Sequence, residues 1–225
     1  MGGWSEMACA FALFLAAHVI PAMPRLRGPL IGALGRAGYL AGFSLVSLGL
    51  LYWLLMAAGR APYVGLWPPA IWQRWVVNLA MPAAILLTVF GTAAPNPFGV
   101  GGQERGFDPD RPGIVGVTRH PLMWAFALWA GAHLLANGDL AHAILFGAML
   151  IFALSGIAAA EARARRQPGF AMAARRSSLI PLAALITGRW RPAALPSGRR
   201  MAIAVAVWLG LLALHPSLIG VSPLP

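Results

Sequence analysis

Long apolar runs separated by short segments that hold almost every charge constrain this chain more than any other feature. A helix must carry about 20 mostly apolar residues to cross a bilayer. Six stretches approach that length: 4–22, 39–58, 75–93, 121–137, 140–160 and 201–219. The spacing predicts an all-α fold, a polytopic transmembrane bundle of six spans forming one domain over residues 1–225. Hydrophobic residues make up 59% of the chain and charged residues 10%, where soluble domains carry roughly 45–50% and 25%. A shorter run, Ser178 to Ile186, cannot span, and arginines flank it at 175, 176, 189 and 191. That pattern predicts a short interfacial helix before the last span.

All 17 basic residues are arginine, and the net charge is +11. Such a charge suits a nucleic-acid binder, but the arginines lie between the apolar runs, so it reports topology instead. The first loop holds Arg25, Arg27 and Arg36, the third Arg105, Arg111 and Arg119, and Glu161 to Arg200 holds nine. The intervening loops hold Arg60 and Arg74 alone, fifteen arginines against two. Positive charge stays inside, so the N-terminus is expected outside, in a bacterial inner membrane. No basic residue precedes the first run, which argues against a cleaved signal peptide. Cys9 is the one cysteine and sits within an apolar run, which excludes a disulfide framework or a thiolate cluster.

Between the fourth and fifth spans, Asn137-Gly138-Asp139 reads as a tight helical hairpin. Gly138 is expected to close one helix in the left-handed conformation and Asp139 to cap the next. Gly38 and Gly42 are spaced for close helix approach.

Polar groups within spans are costly and therefore informative. Of the five histidines, His142 and His215 fall near the expected outer face, whereas His18 and His133 lie deeper. Trp129, Ala130, His133 and Asn137 share one helical face. A deep histidine either bonds a neighbouring helix or ligates a metal or haem, since imidazole is a common ligand in bundle cores. The third loop runs Asn96-Pro97, then a glycine-rich stretch from Gly99 to Gly102, and ends Gly113-Ile-Val-Gly-Val-Thr-Arg119-His120-Pro121. Pro121 suits the first helical position, which places Arg119 and His120 at a helix N-terminus. Free N–H groups there attract a phosphate, a carboxylate or a haem propionate; the alternative is that Arg119 snorkels to lipid headgroups.

The segment Gly113 to Asp139, GIVGVTRHPLMWAFALWAGAHLLANGD, resembles the diagnostic region of the NnrU family of bacterial membrane proteins. His18 before a Pro/Arg stretch, Arg36-x-Gly38-Tyr39, Leu66-Trp67, Asn96-Pro97 and Ser177 through Ile180-Pro181 to Gly188-Arg189 agree with it. The resemblance covers nearly the whole chain and implies a link to denitrification. Distant relatives of that family are the 15-cis-zeta-carotene isomerases, membrane enzymes that use haem b. By that resemblance His18 and His133 stand where those enzymes carry their haem-ligating histidines, with Arg119, His120 and Asn137 as further cofactor-binding candidates. The isomerases carry a cysteine three residues before the second histidine, and here that residue is Ala130.

At about 1.5 Å per residue, His133 lies roughly 20 Å along the helix from His120, whereas His18 is close to the expected inner end of its span. His18 with His120 is therefore the alternative pair. The Arg-His-Pro opening followed by an acid, Glu161, also resembles membrane methyltransferases that bind S-adenosylmethionine. Their second acid and Phe-Gly…Tyr-x-x-Tyr element are absent here, Gly169-Phe170 being the nearest match. The functions left open are a haem-dependent redox or isomerase-like role, methyl transfer, and a non-catalytic assembly factor. The expected partners are the bilayer and a lipophilic substrate or redox partner, with no nucleic acid.

Overall fold

A computed structural model describes residues 3–19, 23–92, 94–99 and 105–225, with Pro24 described by its backbone alone. Residues 20–22 of the first expected span, Ala93 of the third, and Gly101 and Gly102 of the glycine-rich loop lie outside the described residues. The elements are α1 (Trp4–Val19), α2 (Pro24–Arg60), α3 (Ile71–Gly91), α4 (Ile114–Val117), α5 (Pro121–Ala136), α6 (Leu140–Ala164), α7 (Phe170–Ala174), α8 (Ala183–Ile186) and α9 (Gly198–Ile219). Helices α2, α3, α6 and α9 are long and apolar enough to cross a membrane. Helices α1 and α5 are apolar but have 16 residues each, about 24 Å at 1.5 Å per residue.

The chain divides into two compact units. The first comprises Met1–Trp67 with Asp139–Leu145, and in it α1 packs on α2. Met7, Ala10 and Phe14, spaced at helical intervals, bury the contact face of α1. Glu6 accepts a hydrogen bond from Trp53 Nε1 at 3.2 Å and forms an ion pair with Arg60. Helix α2 begins well before the expected Tyr39, because the arginine-bearing segment from Pro24 is itself helical. Gly35 interrupts it at φ 68°, ψ 163°, a conformation essentially restricted to glycine. Among the described residues the Gly38/Gly42 pair makes no close helix approach: a Cβ at Gly42 would meet nothing within 4 Å.

The second unit comprises Pro68–Gly138 with Phe146–Pro225. Here α3 packs against both α5 and α9, and the short α4 lies against α3, α5 and α8. The Gln73 side chain accepts the Ala70 N–H at 2.7 Å, closing the start of α3. At the other end of α5 the expected left-handed Gly138 is not found; its φ is not positive. Asn137 supplies the closure instead, with its N–H and its Nδ2 both donating to His133 O, at 3.1 and 2.8 Å. In the first unit Asp139 caps α6, accepting the His142 N–H at 3.1 Å and His142 Nδ1–H at 2.7 Å. The stretch expected as one interfacial helix is a turn through Leu182 followed by the four-residue α8.

Candidate functional site

The second unit encloses a group of charges where α5 begins and α6 ends. Pro121 occupies the first position of α5 and His120 is its N-cap, so Arg119 and His120 are held in extended chain just before it. Glu161 lies near the C-terminal end of α6, and all three residues are buried. Arg119 grips Glu161 with two parallel bonds, Nε to Oε2 at 2.9 Å and Nη2 to Oε1 at 2.8 Å. A bidentate pair of this kind fixes both side chains and is stronger than a neutral bond. Arg119 Nη1 donates to Ser177 Oγ at 3.3 Å, and its guanidinium lies 5.8 Å from the ring centroids of both Phe98 and Phe170. Arg165, one turn beyond Glu161, donates to Oε1 at 3.1 Å from a mostly exposed position.

His120 Nε2–H donates to Glu161 Oε2 at 3.2 Å. The other ring nitrogen, Nδ1, is buried without a hydrogen-bond partner. Burial holds the imidazole below its ordinary range, the nearby Arg119 charge adding to the effect and the bond to Glu161 opposing it. The ring is therefore neutral at pH 7, a proton on Nε2 and a lone pair on Nδ1. The cluster can accept one more hydrogen bond, or one proton, at that atom.

The backbone around it is fixed from three directions. Arg119 N–H donates to Ser178 O at 3.0 Å, and Asn96 Nδ2 donates to Arg119 O at 3.0 Å. Leu179 O accepts both Thr118 Oγ1 and Trp124 Nε1, each at 2.9 Å. Leu182 N–H donates to Val117 O at 2.9 Å, although Leu182 adopts φ 65° to do so. Behind α4, Gly116 lies against the Trp190 indole so closely that a Cβ there would collide with the ring.

Arg119 therefore does not snorkel to headgroups; it is 6% exposed, with Nε, Nη1 and Nη2 all engaged. The remaining candidates lie elsewhere. In the first unit, His18 Nδ1–H donates to Phe14 O at 2.7 Å, with its ring against Phe14 and Phe43. In the second, His133 Nδ1–H donates to Trp129 O at 2.8 Å, its ring against Trp129 and Phe146. Asn137 bonds the His133 carbonyl rather than its ring. The structure thus joins Arg119 to His120 and Asn137 to His133, and sets these two pairs apart at opposite ends of α5. Among the described residues, no group of three or more His, Cys, Asp or Glu could hold a metal ion.

Sequence reasoning misses Ser177, Phe98 and Trp124 as parts of this site, whereas Glu161 and Phe170 enter it only through the resemblance to membrane methyltransferases. Only Arg165 leaves a local signal, its spacing of four from Glu161. The family model described as NnrU protein matches residues 6–223. No curated protein and no solved structure matches the chain.

Proposed function

The chain belongs to the NnrU family, and we propose that it is a six-span inner-membrane protein that holds haem b through His18 and His133. In this reading α1 and α5 cross the membrane along with the four longer helices, and the arginine asymmetry puts the N-terminus outside. The observation that carries the haem assignment is the same in both histidines. Each donates Nδ1–H to the carbonyl one turn earlier, at 2.7 and 2.8 Å. That bond puts the proton on Nδ1 and the lone pair on Nε2, and a ligating imidazole characteristically gives its other N–H to a carbonyl. Phe14 and Phe43 orient the first ring, Trp129 and Phe146 the second.

Haem b, when bound, supplies one-electron redox chemistry. A lipophilic substrate or a redox partner is the class of molecule that such a cofactor would serve. Support of denitrification and isomerisation of a polyene are both compatible with such a site. Ala130 lies where the isomerases have a cysteine, so any reaction here proceeds without that thiolate.

The test is an oxidised and reduced absorption spectrum of detergent-purified protein expressed with ample haem. A six-coordinate haem b signal near one per chain is expected, lost in His18→Ala and in His133→Ala while the variants stay monodisperse. Unchanged haem content in both variants overturns the assignment, and a colourless, folded wild type leaves a non-catalytic assembly role. A second reading, methyl transfer from S-adenosylmethionine at Arg119 and His120, has one observation in its favour, the unpartnered Nδ1 of His120. Calorimetric titration of the wild type with S-adenosylmethionine decides it; no heat of binding removes the reading.

A further inference from the structure

Helix α2 is longer than a bilayer requires. Its 37 residues rise about 55 Å at 1.5 Å per residue, against a hydrocarbon core of about 30 Å. Residues 36–60, beyond the break at Gly35, rise about 37 Å and are long enough to cross alone. This is also the part that α1 covers: Glu6 meets Trp53 and Arg60, and the His18 ring packs on Phe43. Residues 25–34 are thus surplus to the crossing. Gly35, at φ 68° and ψ 163°, lets them leave its axis.

The surplus segment is exposed along its length apart from the half-buried Ile31. Leu26, Leu30 and Leu34 are 46%, 39% and 57% exposed, and as every fourth residue they form one stripe. Gly28 and Gly32 fall on the opposite face, where a Cβ would meet nothing within 4 Å. Arg27 borders the stripe, Arg25 lies on the glycine side, and Arg36 follows the break. No acidic residue stands between Glu6 and Glu104 in the sequence, so the segment is purely cationic. Two glycines and Pro29 also make it a weak helix former by itself. A short helix of that kind holds only by packing its apolar face against something.

We propose that residues 25–34 form an in-plane amphipathic helix docked on anionic phospholipid headgroups, the leucine stripe among the upper acyl carbons and Arg25, Arg27 and Arg36 on the phosphates. Position selects this occupant over a second protein. The segment is joined through one residue to the end of a helix long enough to cross, which holds it at the bilayer surface. An apolar stripe with uncompensated positive charge is the chemistry that such a surface recruits. In the arginine-inside orientation the leaflet is the inner one. The proposal rests on α2 crossing the membrane and is independent of the haem assignment.

The test uses the full chain with Cys9→Ala in nanodiscs of phosphatidylcholine, alone or with a quarter phosphatidylglycerol. A nitroxide is attached at Leu30→Cys on the stripe, at Gly32→Cys opposite it, or at Leu45→Cys, 70% exposed within the crossing part. Its collision rates with oxygen and with a water-soluble nickel chelate give its depth. In the anionic discs the Leu30 label is expected below the phosphates and the Gly32 label in water. Without phosphatidylglycerol the Leu30 label moves toward water. Arg25→Gln with Arg27→Gln removes that difference, each arginine weighing about fivefold on the docked population. Equal nickel exposure of the Leu30 and Gly32 labels overturns the proposal, as does a Leu30 depth indifferent to lipid charge. A Leu30 label shielded from oxygen and nickel alike overturns it too, in favour of a protein partner or a second copy. If the Leu45 label is itself in water, α2 does not cross, and the spanning reading fails with the proposal. The single-cysteine labels decide between these outcomes even if the double arginine variant does not fold.

Discussion

Glu161 is the residue on which the candidate site depends, since one carboxylate receives Arg119, His120 and Arg165. Removing it alone leaves a buried guanidinium without its counter-charge, and breaking one partner of a buried pair costs about 3–5 kcal/mol. Glu161→Leu is expected to lower the thermal midpoint sharply, while the double variant Arg119→Met/Glu161→Leu recovers much of the loss. A double variant no better than the single would show that the pair's charges are not what matters. His120 adds a dependence on pH. Its folded-state affinity for a proton is depressed by burial, whereas the unfolded ring titrates near 6.5. Above that value neither state binds the proton and the penalty is absent. As pH falls through it, the unfolded state takes up a proton the native ring resists, so stability declines toward the folded-state value. Thermal midpoints measured from pH 7.5 to 5 should fall more steeply for the wild type than for His120→Asn. Equal slopes would move the dependence to other groups.

At the level of the elements, much is legible in the sequence, for identifiable reasons. Apolar length marks the positions of α3, α6 and α9, because burying an unpaired backbone in hydrocarbon admits only helix. Asp139 is readable as a cap because its role is local. The helical start of α2 is not, since arginines and Pro29 in that segment mimic a loop, and only Gly35 marks the break. The closure of α5 is hidden for a similar reason. Glycine is the commonest solution there, but an asparagine side chain reaching its own helix serves equally, and the two are indistinguishable in the string Asn-Gly-Asp. Arg119 and His120 stand out as a motif, yet their joint partner is 42 and 41 residues distant, and nothing periodic links them. Ser177 and Phe170 lie further still along the chain and meet Arg119 only through folding. The contact between α4 and Trp190 offers a test at this scale. Gly116→Ala must displace an indole ring that occupies the new Cβ position, and overpacking of this kind costs typically about 1–3 kcal/mol. The same substitution at Gly42, where space is open, should leave the midpoint unchanged or raise it slightly.

For the whole molecule the outstanding quantity is the number of crossings. Six spans put residues 105–112 and 137–139 on opposite sides of the membrane; four spans, with α5 not crossing, put them on the same side. In a Cys9→Ala background, Gly138→Cys is expected to react with an impermeant maleimide in intact spheroplasts, and Asp108→Cys only after permeabilisation. Labelling of both in intact cells, or of neither, would favour four. The buried Arg119–Glu161 pair also has a bearing on biogenesis. A ribosome delivers Arg119 at the start of α5 well before Glu161, and Ser177 later again, at roughly 5–20 residues per second. For a few seconds the arginine waits beside a newly made apolar helix without its carboxylate, and that interval ends only when α6 is complete. Ser177 follows Glu161 by sixteen residues, so the pair is able to form before the serine-bearing turn joins it. A chain truncated before that turn should insert with its charges matched but its lid open.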